Sequence, residues 1–139
     1  MAPSAPLFVD TTAWVALGHR QDQSRSKALR VWPKIHRGRR HLFTTALVAS
    51  ETHALLLRRV GHDAALAFLD GLFSRQQGEV VWPDDDLTRD ASARWLRAFP
   101  DKAFTLTDAV SFEVMRREGI REAFTFDKDF ERAGFKIVS

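Results

Sequence analysis

Strands that alternate with helices along the whole chain predict an α/β fold with a mainly parallel sheet and helices on both faces. Three observations carry that prediction. Short apolar runs recur at LFV (7–9), HLFTT (41–45), GEVVWP (78–83), EAFTF (122–126) and FKIV (135–138). The stretches between most of them place apolar residues three and four apart, the spacing of one helix face. Two of the strands run directly toward a carboxylate, LFV into Asp10 and EAFTF into Asp127.

Each element has its own local reason. After Asp10, the segment TTAWVALGHRQDQSRSKALRVWPKI reads as helix with a break around Gly18 to Asp22, where Ser24 or Ser26 can cap the second piece. Thr44 or Thr45 then caps ALVASETHALLLRRV. Gly61 interrupts, and HDAALAFLDGLF resumes as a helix whose Ala65, Leu66, Leu69 and Phe73 are spaced for one face. Asp84 to Asp86 open a helix with Leu87, Ala91, Trp95 and Phe99 along one side. DKAFTLT reads as a loop, followed by a helix from about Asp108 to Glu118 that Gly119 terminates.

Composition bounds the function. At 139 residues and 45% hydrophobic the chain can bury one sizeable core, and without repeat or linker it is read as a single domain, 1–139, with 1–6 as a loose lead-in. The apolar runs are far too short for a membrane span, and MAPSAPL has neither the basic start nor the apolar stretch of a signal peptide. No cysteine is present, which removes disulfides, thiolate metal sites and cysteine nucleophiles and is compatible with a cytoplasmic location. The five histidines show no H-E-x-x-H spacing, and the seven glycines form no phosphate-cradling loop.

The net charge of +3 is unevenly placed. Between Arg20 and Arg40 eight Lys and Arg face a single acid, Asp22. Such a stripe is either a solvated helix face or the footprint of a polyanion. Arg37, Arg39, Arg40, Arg58 and Arg59 are the candidate nucleic-acid contacts. Trp14 and Trp32 can stack on bases, although tryptophan at such positions is more often core.

Four carboxylates form the candidate site. Ligands of open α/β sheets bind beyond the carboxyl ends of the strands, where Asp10 and Asp127 are placed. Glu51 shares a helical face with Leu47 and Leu55, a costly position for a lone charge unless it reaches the rim or pairs with an arginine such as Arg58. Asp108 opens a helix that Thr107 can cap, so it serves the helix dipole whatever else it does. Brought together, such acids repel: two carboxylates 4 Å apart cost roughly 4 kcal/mol at an effective dielectric near 20. Protons or a cation must relieve that repulsion, and an all-oxygen donor set favours Mg²⁺ or Mn²⁺.

FVDTTAWVAL, TTALVASETHALL, TLTDAVSFEVMRREGI and AFTFDKDFERAGF together resemble the four acidic motifs of PIN-domain ribonucleases, above all the small VapC-like toxins of toxin–antitoxin pairs. The likeness runs from residue 7 to 138. It implies a three-layer α/β/α sandwich, a homodimer, and metal-dependent hydrolysis of RNA at Asp10, Glu51, Asp108 and Asp127. It also implies supporting roles for Thr11 and Thr107, places Asp129 at a variable position beside them, and adds a cognate antitoxin protein as partner. Two other readings stand beside it. One is a non-catalytic module of the same fold that binds RNA or protein. The other is a phosphoacceptor domain, which this chain fits poorly because Thr11 replaces the second acid of the pair after strand one.

Overall fold

The computed structural model describes residues 4–75 and 78–138. Five strands, β1 (Leu7–Val9), β2 (Leu42–Thr45), β3 (Gly78–Val81), β4 (Glu122–Phe124) and β5 (Lys136–Ile137), form one sheet in the order β3-β2-β1-β4-β5. Every pairing is parallel, with Leu7 opposite both Leu42 and Glu122. The helices are α1 (Thr11–Gly18), α2 (Arg25–Arg37), α3 (Ala46–Arg59), α4 (His62–Ser74), α5 (Asp85–Ala91), α6 (Leu106–Glu118) and α7 (Asp129–Arg132). Leu7, Phe8 and Val9 are fully buried whichever way they point, as expected of a strand covered on both faces.

The sheet order matters for function. The chain steps outward from β1 to β2 and β3, then returns to the other side of β1 for β4 and β5. The reversal lies between β1 and β4, and parallel sheets open a crevice at the carboxyl end of such a switch point. Asp10 follows β1 and Asp127 follows β4, so both sequence-predicted strand-end acids flank that crevice. α6 starts at the same edge and brings Asp108.

Local chemistry sets the boundaries. Thr45 caps α3 by accepting the Val48 N–H at 3.1 Å, and Asp84 caps α5 by accepting that of Leu87 at 2.8 Å. Gly119 ends α6 with φ 68°, a left-handed conformation that a side chain disfavours. α5 continues through Ser92–Arg97 as a wider π-helical turn that sets Trp95 against Phe112 at 5.3 Å. Phe112 in turn meets Phe130 at 5.0 Å, and Phe130 lies 6.1 Å from Phe8. This chain of rings packs α6 and α7 onto the sheet directly beneath the acids.

Several expectations need correction. α6 begins two residues before Asp108, because Thr105 rather than Thr107 is its cap. EAFTF leaves the sheet after Phe124, where side-chain bonds to Thr12 and Thr125 replace the strand ladder. α4 buries Ala65 and Leu72 and packs Phe68 on the core, leaving Leu66 and Phe73 exposed. A single helical turn, α7, follows Asp127 where the sequence pattern gives no helix signal. In the lead-in, Met1, Ala2 and Pro3 lie outside the described residues. Ser4 donates to the Gly38 carbonyl and Arg40 to those of Ala5 and Pro6, so the described part of 1–6 is tied down.

Candidate metal centre

Asp10 begins the site. Its backbone N–H donates to the Phe124 carbonyl at 3.1 Å, locking the end of β1 to β4. Its side chain is almost wholly buried, and one carboxylate oxygen, Oδ2, accepts from the Thr125 hydroxyl at 2.9 Å and from Thr12 at 3.3 Å. The two threonines lie 3.1 Å apart and carry the link onward: Thr12 accepts the Phe126 N–H at 2.9 Å, and Thr125 accepts the Asp127 N–H at 3.0 Å. A small hydroxyl network therefore ties the first acid to the loop that bears the next two.

Asp108 is held differently. Thr105 Oγ1 accepts its backbone N–H at 3.1 Å, and Asp108 Oδ2 accepts the Thr105 N–H at 3.0 Å, a reciprocal capping box. The capping role expected of an aspartate here is real, and it also fixes the carboxylate's orientation. Asp127 Oδ1 accepts the Asp129 N–H at 2.9 Å, and Asp129 Oδ1 pairs with Arg132 at 2.7 Å. One oxygen of each of these three is held, while the other enters no hydrogen bond among the described residues.

Asp108, Asp127 and Asp129 present carboxylate oxygens that all lie within 4.8 Å of one another. Burial pushes the Asp10 carboxyl up to about 7, and the charges of Asp108 and Asp127 add to the shift against the Thr11 N–H and the Thr125 hydroxyl. Asp108 is also raised, chiefly by burial, with Thr105 opposing and Asp127 and Asp129 adding. Arg132 answers Asp129 alone, and no ion pair among the described residues reaches Asp10, Asp108 or Asp127.

Does a divalent ion fit? The donor set is all hard oxygen, the choice of Mg²⁺ or Mn²⁺. Thr11 donates its backbone N–H toward Asp10, and its Oγ1 is buried with no hydrogen-bond partner among the described residues, an orphan that a bound water can satisfy. The residues fit.

The PIN domain family model matches residues 7–136, a stretch that includes every acid of this crevice. The chain belongs to the PIN-domain family. A curated relative, the 23S rRNA-specific endonuclease VapC20 of Mycobacterium tuberculosis, is 36% identical over 138 residues, covering 95% of this chain and 97% of its own. The crystal structure of Mycobacterium tuberculosis VapC20, a Sarcin-Ricin loop cleaving toxin, superposes with a TM-score of 0.83 at 37% identity, over 93% of this chain and 95% of that one. VapBC2 from Rickettsia felis, solved with a DNA fragment from its promoter, gives 0.66 at 12% identity over 95% of this chain and 96% of its own. At that identity it speaks for the fold alone. The PIN-like α/β/α architecture expected from the motifs is the observed one.

The remaining site candidates of this PIN domain separate. Glu51 is exposed on α3 and joins no group of three carboxylates within 4.8 Å among the described residues. α3 buries Val48, Ala49, Thr52 and Leu56, so the Leu47–Glu51–Leu55 row lies along the rim rather than in the core. Thr107 is half-buried in the first turn of α6, with its carbonyl accepting from Ser111. Trp14 and Trp32 pack with the core, 5.8 Å apart. Arg58 and Arg59 end α3, about 18 Å of helix rise beyond its start. Arg37, Arg39 and Arg40 precede β2 and so sit at the amino-terminal edge of the sheet, opposite the acids.

Thr12, Thr105 and Thr125 were missed as site residues. Thr125 sits in a run of strand-formers, and its β propensity masked its hydroxyl. A usable signal was its place: the first residue past β4, two before Asp127, is where a short hydroxyl side chain can bond nearby backbone N–H groups as the chain turns.

Proposed function

We infer that the protein is a metal-dependent endoribonuclease, the toxin of a toxin–antitoxin pair, and that its target is a ribosomal RNA loop of the kind its curated relative cuts. The observation that carries this reading is the group of Asp108, Asp127 and Asp129 beside buried Asp10 at the sheet's switch point.

Asp10 and Asp108 serve as the main metal ligands, with Asp127 completing the set and Asp129 beside it. Bound Mg²⁺ or Mn²⁺ supplies Lewis-acid stabilisation of the phosphate and a water acidic enough to attack at neutral pH. Thr12 and Thr125 hold one oxygen of Asp10 and so aim the other. The Thr105 box does the same for Asp108. We keep for Glu51, exposed on α3 and apart from the three grouped aspartates, only a role through a bound water that helps take the attacking proton. Thr11 and Thr107 support the waters.

For an antitoxin partner we favour one apolar groove. A groove of about 370 Å³ between α1, α2 and α4 is walled by Trp14, Trp32 and Phe68, with the Arg75 guanidinium about 5 Å from both indoles. Trp14 Nε1 and Arg75 Nε are buried there without partners among the described residues. Apolar walls with unspent donors suit a partner segment that brings an acceptor. The exposed Trp82 and Phe73 offer apolar surface to a second copy of the chain, in keeping with a homodimer.

The test is cleavage of a ribosomal stem-loop with Mg²⁺ or Mn²⁺ by the native chain, Asp10→Asn and Asp108→Asn. Loss in both variants and with EDTA is expected. Cleavage that survives either substitution or chelation removes the mechanism, and binding without cleavage favours the non-catalytic module.

A further inference from the structure

The sheet has a second charged edge. Where β4 and β5 begin, a cleft of about 880 Å³ opens between Pro6, Ile120, Arg121, Glu122, Phe135 and Lys136. The acid in that wall is already cancelled, since Arg40 reaches across β1 to Glu122 at 2.7 Å. Arg121 and Lys136 are exposed and adjacent, the Lys136 N–H donating to the Arg121 carbonyl at 3.0 Å. On the other side of Arg40 the turn into β2 leaves Arg37 and Arg39 exposed, with Arg39 at φ 49° as the chain turns there.

None of Arg37, Arg39, Arg121 and Lys136 has an ion-pair partner among the described residues. The acids close to them in sequence are Glu118, Glu131 and Glu122, the last already held by Arg40, while Glu79 at the start of β3 faces His41 at 3.6 Å. Four free cations on one edge repel one another and attract a polyanion. They span the starts of four neighbouring strands, β2, β1, β4 and β5, a row of about 14 Å at the usual strand spacing. That length fits a run of phosphates and exceeds a single one.

We propose that this amino-terminal edge is a second RNA-contact surface, holding substrate phosphates several nucleotides from the bond that is cut. The proposal rests on the ribonuclease reading and adds a consequence to it. β2 alone separates the two edges by about 13 Å. A short oligonucleotide can fill the acidic crevice without reaching the basic edge, whereas a folded RNA can engage both. The surface therefore acts on long substrates only.

The experiment compares the native chain with two charge reversals, Arg121→Glu/Lys136→Glu and Arg37→Glu/Arg39→Glu. Affinity for an RNA stem-loop is measured in EDTA across a salt series, and cleavage of a short oligonucleotide is measured with Mg²⁺. Each reversal is expected to weaken stem-loop binding about tenfold and to flatten the log–log salt slope by about 1.5, two contacts' worth. Short-oligonucleotide cleavage stays unchanged. Native affinity and slope in both variants overturn the proposal. If the native chain cuts neither RNA, the ribonuclease reading fails and takes this surface with it.

Discussion

Two carboxylates inside this protein have opposite fates. Glu113, in the middle of α6, has no exposed surface, yet it is fully answered. Arg116 and Arg117 reach it at 2.8 and 3.2 Å, Arg94 at 3.2 Å, and Trp95 Nε1 donates to it at 3.1 Å. Burial alone would raise its pKa, but those hydrogen bonds outweigh it and hold the carboxyl below its ordinary value. Asp10 is buried to a similar degree and has two threonines for company and, among the described residues, no cation. A buried acid that the fold neutralises is part of the scaffold. One that the fold buries without a cation among the described residues, near Asp108 and Asp127, is a place kept for something else.

The sharpest way to break that comparison is to neutralise each acid in turn. Asp10→Asn should lower RNA cleavage by at least about 10²-fold, the scale on which catalytic groups matter. It should nevertheless stabilise the metal-free fold at pH 8, because it removes a charge that burial disfavours. A carboxyl moved from 3.8 to about 7 represents roughly 4 kcal/mol of such penalty. Urea unfolding without divalent ions measures the gain. Glu113→Gln should do the reverse, retaining cleavage where folded while losing about 3 kcal/mol, the low end for a broken buried pair because its arginines reach solvent. A destabilising Asp10→Asn would erase the distinction.

The same contrast has a pH signature. Asp10 binds its proton more tightly folded than unfolded, so metal-free stability is greatest below pH 3.8 on its account and falls as pH rises from about 4 to about 7. Glu113, with its pKa lowered, contributes stability above the unfolded carboxyl value that is lost as pH falls through its folded one. Titrating Mg²⁺ at pH 8 should remove the first penalty only. At a hundredfold excess over the dissociation constant a ligand that binds only the folded state adds about 2.7 kcal/mol. That gain should vanish in Asp108→Asn, as read from thermal melts.

What the sequence revealed of this pair is uneven, for physical reasons. Asp10 and Asp127 were legible because a hydrophobic strand that stops on an acid marks the sheet edge, and parallel topology does the rest. Gly119 announced the end of α6 by the conformation it alone tolerates easily. Glu113 was not legible. In SFEVMRRE it reads as an ordinary surface residue three and four positions from its arginines, and only the π-helical turn carrying Trp95 and Arg94 closes over it. Glu51 misled in the opposite direction. Two leucines four residues to either side suggested burial, but α3 turned a different stripe inward and left all three on the rim or in solvent. The basic stripe looked continuous along the chain, yet strand direction sent Arg37, Arg39 and Arg40 to the edge away from the acids.

The hydroxyls that distinguish the Asp10 environment offer a subtler perturbation. Thr125→Val keeps the shape but removes the donor to Asp10 and the acceptor of the Asp127 N–H. The fold should lose about 1–3 kcal/mol, the range for leaving a buried polar partner unsatisfied. Metal affinity should fall about 10-fold, as for other groups that orient a ligand. Calorimetric Mn²⁺ binding checks the second figure independently of cleavage. Unchanged affinity would reduce the threonine to a structural tie between β1 and β4.

The smallest effect is expected at Thr105. Thr105→Ala deletes the acceptor of the Asp108 N–H, while the Asp108 carboxylate keeps the Thr105 backbone donor. Losing a capping side chain costs about 1 kcal/mol. If the cap only ends a helix, stability drops by that amount and Mn²⁺ affinity stays where it was. If it also orients Asp108, as the reciprocal geometry argues, affinity falls with stability, and Thr105→Ser restores both. Asparagine at the same position would cap α6 equally well on helix statistics. Any difference between Ser and Asn in Mn²⁺ binding therefore isolates the orientation of Asp108 from the stability of the helix that carries it.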